Sequence, residues 1–123
     1  MVWTVRFHAT FADEFKEMSE GVQDELLALA RLLGDFGPAL GRPHADTLKG
    51  SSYANMKELR FNADGGVWRI AFAFDVRREA IVLVAGNKSG GSQDKFYKRL
   101  IKEADRRFGE YLEKLKTPGK KGK

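Results

Sequence analysis

The sequence predicts an α+β domain in which an N-terminal helical hairpin and a C-terminal helix pack on a mostly antiparallel four-stranded sheet. Three observations carry this. Apolar and polar residues alternate in several short segments, and apolar residues recur at helical spacing in two longer ones. The last three strand-like segments are joined by links that suit hairpins and little else.

Residues 2–8 alternate, with Trp3, Val5 and Phe7 opposed to Thr4 and Arg6, so this segment opens the sheet. A helical stripe follows through Phe11, Phe15, Met18, Val22, Leu26, Leu29 and Leu33. Thr10 can cap its start, with Asp13 near the positive end. Ser19 and Gly21 interrupt the stripe. Ser19 can cap a second helix, giving a bent pair near 10–18 and 20–34, with one long helix as the alternative. Gly34, Gly37 and Pro38 end it, and the Gly-, Pro- and Ser-rich stretch 37–53 reads as a long loop.

Strands are predicted at 55–61, 67–74 and 80–85, a meander that the first strand must join. After the Gly/Ser-rich stretch 86–91, Ser92 caps a final helix with the stripe Phe96, Leu100, Ala104, Phe108, Leu112 and Leu115. Thr117, Pro118 and Gly119 stop it. Residues 1–117 thus form one domain, with helices on one face of the sheet, and 118–123 a disordered basic tail.

The 123 residues suit one domain with its own core. The absence of cysteine excludes disulfides and thiolate metal sites. His8 and His44 share no ligand spacing, so no metal and no cofactor is expected. No apolar run approaches a membrane span and no signal peptide is visible, so a soluble, cytoplasmic protein is expected. The net charge of +5 is uneven: residues 88–123 carry twelve basic and five acidic side chains. A basic C-terminal third suits a polyanion or an acidic protein partner, and equally a well-solvated helix.

Alternation also sorts the faces of the strands. Trp68, Ile70, Phe72 and Phe74 belong to the core, leaving Arg69 on the other side among the small residues Val67, Ala71 and Ala73. On the preceding strand Leu59 and Phe61 belong to the core, so Glu58 and Arg60 should share the open face with Arg69. Ile81, Leu83 and Ala85 oppose Val82 and Val84, apolar on both sides, as in a covered central strand. Lys57 falls on the core side, so it either snorkels from an edge or is re-aimed by a bulge.

Glu58, Arg60 and Arg69, with Lys88 beyond the third strand, match the needs of metal-independent RNA cleavage. Arginines pair with phosphate oxygens and stabilise charge on the transition state. A carboxylate or lysine can take the 2′-hydroxyl proton, and a lysine can protonate the leaving 5′-oxygen. The same residues also suit a cross-strand salt-bridge ladder of a few tenths of a kcal/mol. Tyr97 lies one residue off the apolar stripe and can face the open sheet, where it could stack on a base. His44 reads as a loop histidine, and Trp68 and Phe96 as core.

The pieces Leu48-Lys49-Gly50, Lys57-Glu58-Leu59-Arg60, Val67-Trp68-Arg69-Ile70, Ile81-Val82-Leu83-Val84, Asn87-Lys88 and Phe96-Tyr97 recur in one order. Together they resemble the phage-derived HigB-like branch of the RelE/ParE toxin superfamily across almost the whole chain. The resemblance implies a RelE-like fold and the toxin of a type II toxin–antitoxin pair, an mRNA endoribonuclease acting on the ribosome. It implies a cognate antitoxin as partner, with a helix-turn-helix domain in many relatives. By motif, Arg60 and Arg69 match phosphate-contacting arginines, and Lys57 and Lys88 match recurrent basic positions. Tyr97 falls near a stacking or acid position, and Glu58 matches the carboxylate base of some branches. No histidine stands near the chain's end, where some branches keep a catalytic one. Two other readings stand beside this one: a non-enzymatic ParE-like inhibitor of DNA gyrase, and a basic nucleic-acid-binding module.

Overall fold

A computed structural model describes residues 3–116. Its elements are β1 (Thr4–Phe7), α1 (Ala9–Lys16), α2 (Glu20–Phe36), β2 (Ala45–Thr47), β3 (Met56–Ala63), β4 (Gly66–Phe74), β5 (Glu79–Asn87) and α3 (Gln93–Lys116). The expected tail at 118–123 lies outside the described residues. Among those residues, no helix is long and apolar enough to cross a membrane.

The α+β class and the antiparallel β3–β4–β5 meander are as expected. The sheet has five strands rather than four, in the order β1-β5-β4-β3-β2. β1 joins it parallel to β5. The fifth strand, β2, comes from the stretch 37–53, where Ala45-Asp46-Thr47 pairs antiparallel with β3. Three residues are too few to show a period.

The helices occupy both faces, not one. On one side Phe11, Leu26, Leu29 and Leu33 from α1 and α2 pack on Leu59, Ile70, Phe72 and Phe74. On the other, Leu100, Ala104 and Phe108 of α3 pack on Met56, Ala71, Ala73, Ile81 and Leu83. The small side chains of Ala71 and Ala73, expected on an open face beside Arg69, are instead the floor on which α3 lies. This second core explains why β5 is apolar on both sides.

Local signals account for the boundaries. His8, not Thr10, caps α1: its Nδ1 accepts from the Thr10 amide at 3.1 Å. Ser19 caps α2 as expected, its hydroxyl accepting from Val22 N–H at 3.3 Å, and also donates to Asp64. Ser92 Oγ accepts from the Lys95 amide at 3.3 Å at the start of α3. β3 and β4 turn at Asp64-Gly65, with φ of 50° and 76°. Two successive left-handed residues make the type I′ hairpin that Asp-Gly favours.

β5 departs from strict alternation. Ala71 pairs with Val84 but Phe72 with Val82, so Leu83 is an extra residue. After this bulge Leu83 and Val84 both pack toward α3, and Ala85 crosses to the α1–α2 side. The bulge also sets Gly86 opposite Arg69, on the α3 side. A Cβ at Gly86 would lie 2.7 Å from Phe96 Cε1, so the bare backbone is what lets α3 seat there.

Candidate functional site

Pairing of β3 with β4 sets Arg60 directly opposite Arg69. Residues directly opposite share a face, and Glu58 lies on that face two residues earlier. Two guanidinium groups so placed repel, and the structure answers with one carboxylate and one phenol. Arg60 Nη1 donates to Glu58 Oε2 at 2.7 Å, and Tyr97 OH donates to Glu58 Oε1 at 2.9 Å. Arg69 donates through Nε to Tyr97 OH at 3.3 Å and through Nη1 to the Trp68 carbonyl at 2.9 Å. The result is one chain of bonds, Arg60–Glu58–Tyr97–Arg69.

Burial grades along that chain. Glu58 is 3% exposed and Arg69 7%, whereas the Arg60 side chain keeps 20%. Both carboxylate oxygens of Glu58 are engaged, so in this arrangement it orients Arg60 and Tyr97 rather than waiting to accept a proton. Burial and the Glu58 carboxylate hold the Tyr97 phenol above its usual 10, with Arg69 opposing. Tyr97 is therefore a neutral hydrogen-bonding strut at ordinary pH.

Lys88 completes the cluster from beyond β5. Its Nζ lies 5.6 Å from the Tyr97 ring centroid and 3.4 Å from Gln93 Oε1. Burial first, then Arg69 and Arg60, push its pKa below the usual 10.5, with Glu58 opposing. Three cations against one carboxylate leave an excess of positive charge suited to an anion.

Of the residues singled out from sequence, the fold thus brings Glu58, Arg60, Arg69, Lys88 and Tyr97 together. It separates Lys57 from them. Lys57 pairs with Phe72 and Thr47 and alternates with Glu58, so it points to the α1–α2 side of the sheet. No register shift interrupts β3–β4 near Asn55 to turn it round; the irregularity of this sheet is at Ala71/Phe72, on the β5 side.

An open cleft of about 440 Å³ leads to the arginines, and Arg42, His44, Arg60, Asn62 and Arg69 line it. His44 reads from the sequence as a loop histidine, and nothing there singles out Arg42. Because Ala45 pairs with Leu59, His44 falls opposite Arg60, and the Arg60 amide donates to the His44 carbonyl at 2.8 Å. The signal that could have found His44 is the strand pairing of β2, which is too short to read. Arg42 is tied to Asp46 at 2.8 Å and forms the outer lip. A larger hollow of about 560 Å³ lies between β5 and α3. Its buried cation, Arg107, is already bound to Glu14, Glu103 and the Leu83 carbonyl, so it reads as structural.

Chemically, the cleft offers an arginine pair for a phosphodiester, held in place by a buried carboxylate, with a lysine and an imidazole nearby. Comparison with known proteins identifies the family. The family model "Phage derived protein Gp49-like (DUF891)" matches residues 13–109. Two proteins of Mycobacterium tuberculosis (strain ATCC 25618 / H37Rv) named as candidate toxins are similar in sequence. HigB2 is 48% identical over 88 residues, which is 71% of this chain but 43% of HigB2. HigB3 is 45% identical over 81 residues, 66% of this chain and 68% of HigB3. Among solved structures, a mutant of the E. coli toxin RelE in the free state superposes with a TM-score of 0.63 at 13% identity. That match covers 87% of this chain and 98% of RelE. A chain of an archaeal RelE–RelB complex from Pyrococcus horikoshii OT3 matches with a TM-score of 0.54 at 14% identity, over 74% of this chain and 100% of that one. At such identities these two matches establish the fold. The family match and the HigB relatives show that the chain belongs to the phage-derived Gp49-like family, similar to HigB proteins and built on a RelE-like fold.

Proposed function

We propose that this protein is the toxin of a type II toxin–antitoxin pair and cleaves mRNA without a metal ion, on the ribosome and in the cytoplasm. The observation that carries the reading is the arginine pair: Arg60 and Arg69 stand opposite each other on one face and line one open cleft. Their forks bind the scissile phosphodiester and neutralise charge as the 2′-oxygen attacks phosphorus. Glu58 and Tyr97 keep the forks aimed, and the Lys88 ammonium supplies the proton to the departing 5′-oxygen. Tyr97 and the lip of the cleft contact the neighbouring nucleotide. Lys57, on the far side of the sheet, has no part in this site.

A cognate antitoxin is the natural partner, as RelB is for RelE in the archaeal complex. An acidic segment, tethered to a helix-turn-helix domain, would complement the cationic cleft.

The test is single-turnover cleavage of a defined mRNA on purified ribosomes. Wild-type protein should give fragments with a 5′-hydroxyl, and Arg69→Ala should slow them about 10²–10³-fold, the usual loss for one transition-state donor. Transcripts left whole by excess wild-type protein would reject the nuclease reading and favour a non-enzymatic inhibitor.

A further inference from the structure

Cleavage at the arginine pair leaves one proton without a carrier. In-line displacement places the attacking 2′-oxygen and the departing 5′-oxygen on opposite sides of phosphorus. The group that takes the first proton and the group that supplies the second must therefore flank the arginine pair. Lys88 holds one flank, so the acceptor belongs on the other.

The members of the cluster do not fill that place. Glu58 is 3% exposed, and its two oxygens already accept from Arg60 and Tyr97. The Tyr97 hydroxyl is spent on Glu58 and Arg69. Guanidinium groups do not give up their protons near neutral pH.

The register of the sheet supplies a candidate. Reading across the strands, His44 lies beside Arg60, Arg60 opposite Arg69, and Arg69 opposite Gly86, with Lys88 just beyond on the same side. The Lys88 amide donates to the Val67 carbonyl at 2.7 Å, which fixes it next to β4. Neighbouring strands lie ~4.8 Å apart, so the two arginines occupy the middle of a row whose ends are His44 and Lys88. Leu59 packs in the α1–α2 core, which turns its neighbour Arg60 to the opposite, α3 side, and His44 lines one cleft with Arg60 and Arg69. Of the described residues lining the cleft, namely Arg42, Pro43, His44, Arg60, Phe61, Asn62 and Arg69, His44 alone carries an imidazole, the side chain most often used as a general base.

We propose that His44 is the general base of this site and, with the substrate bound, contacts the attacking 2′-hydroxyl. This rests on the nuclease reading and deepens it. The step balances: the 2′-O–P bond forms and the P–O5′ bond breaks. The 2′-hydroxyl proton passes to the His44 imidazole, and the Lys88 ammonium gives a proton to the 5′-oxygen. The products are a 2′,3′-cyclic phosphate and a 5′-hydroxyl, and solvent restores both side chains. The charged groups lining the cleft with His44 are Arg42, Arg60 and Arg69, and Arg60 is bound to Glu58. Asp46 is already paired with Arg42 at 2.8 Å.

The experiment is the same ribosomal assay, run across pH 5.5–9 with wild type, His44→Gln, His44→Ala and Lys88→Met. His44→Gln should slow single-turnover cleavage by about 10²–10⁴-fold, as loss of a general base does, and abolish the fall in rate toward acid pH. Added imidazole should restore part of the rate to His44→Ala. A substrate with sulfur in place of the leaving 5′-oxygen departs without a proton, so it should rescue Lys88→Met and leave His44→Gln slow. Rescue of His44→Gln by sulfur would assign His44 to the wrong proton and overturn the proposal. So would a His44→Gln rate and pH profile equal to wild type, while Arg69→Ala remains slow; the nuclease reading would then survive. Wild-type protein that leaves every transcript whole would overturn both. Unchanged thermal unfolding of the His44 variants keeps these outcomes separate from misfolding.

Discussion

Replacing Arg107 with methionine should cost about 2 kcal/mol of stability, and the partners of this residue show why the figure is no larger. Arg107 is 5% exposed and ties three elements together. It grips Glu14 of α1 through both Nη atoms at 2.9 and 2.6 Å, and bonds Glu103 of its own helix through Nε at 2.8 Å. Nη1 also donates to the Leu83 carbonyl at 2.7 Å. That carbonyl belongs to the bulge residue, and β1 ends opposite Val82, so among the described residues β5 has no outer strand from Leu83 onward. Truncating one partner of a fully buried ion pair costs ~3–5 kcal/mol because a charge is stranded. Here the side chains of Glu14 and Glu103 are 42% and 32% exposed and can turn to water. Only the Leu83 carbonyl is left unpaired, at ~1–3 kcal/mol, while the methionine stem keeps most of the packing. Urea unfolding should show the midpoint falling at constant slope, and Tm should drop by roughly 8 °C for a domain of this size. A loss above ~4 kcal/mol would mean that the carboxylates do not rehydrate. A loss below ~0.5 kcal/mol would mean that the carbonyl is not orphaned, and either result refutes the argument.

Three further outcomes follow from the same contacts. Tyr97→Phe removes the hydroxyl shared by two buried charged groups and should cost ~1.5–3 kcal/mol in urea unfolding; a variant as stable as wild type would mean the strut carries no load. Gly86→Ala puts a methyl 2.7 Å from Phe96 Cε1 and should destabilise by ~1–3 kcal/mol, with α3 lifted at its first turns and the Arg69–Tyr97 bond weakened; a crystal structure with Phe96 unmoved would contradict this. Burial and Arg107 hold the His8 pKa below 6.5, so the unfolded chain takes up this proton first and stability falls as pH drops through about 6.5. Protonation also removes the acceptor that caps α1. His8→Asn keeps a cap and should flatten that limb, and an unchanged pH dependence would show that His8 is not its source.

Element types were legible because each long segment repeats its signal. The stripe from Phe11 to Leu33 fixes the hairpin, Ser19 marks its break, and Asp64-Gly65 marks a turn that few sequences could hide. What escaped depends on tertiary partners. Ala71 and Ala73 look alike whether they floor an open hollow or support a helix, and only Leu100, Ala104 and Phe108 of α3 decide between them. The bulge at Leu83 leaves no mark in an apolar run, yet it sends Ala85 to the other face and aligns Gly86 with Arg69. In the candidate site, Glu58, Arg60 and Arg69 followed from period two alone. Lys57 failed by the same rule that placed them: one step along a strand is the other side of the sheet. His44 reads as a loop residue because its place beside Arg60 is set by pairing with β3, not by anything within its own loop.

The way α3 is fastened bears on how the site is reached. Its C-terminal half is held by three unrelated anchors: Arg107 to Glu14 and Leu83, Tyr111 to Asp75 at 2.9 Å, and Asp105 to Ser51 and Ser52 at 2.5 and 2.9 Å. Apolar packing is deepest there too, around Phe108 and Ala104. The first turns are held differently, by Phe96 against Gly86 and by the Tyr97 hydroxyl between Glu58 and Arg69. They follow a loop in which Gly90 and Gly91 both have positive φ. Burying a carboxylate and an arginine under a helix is costly unless each is satisfied, and Tyr97 satisfies both. The same bond that closes this end of the helix therefore aims the cluster. Local opening costs less where fewer anchors hold, so the end of α3 that yields first is the end that lies over the arginines. Hydrogen exchange should rank the two halves of the helix in that order, with the amides at 96–99 exchanging before those at 104–108. Equal protection along α3 would mean that the anchors at its far end do not set its stability.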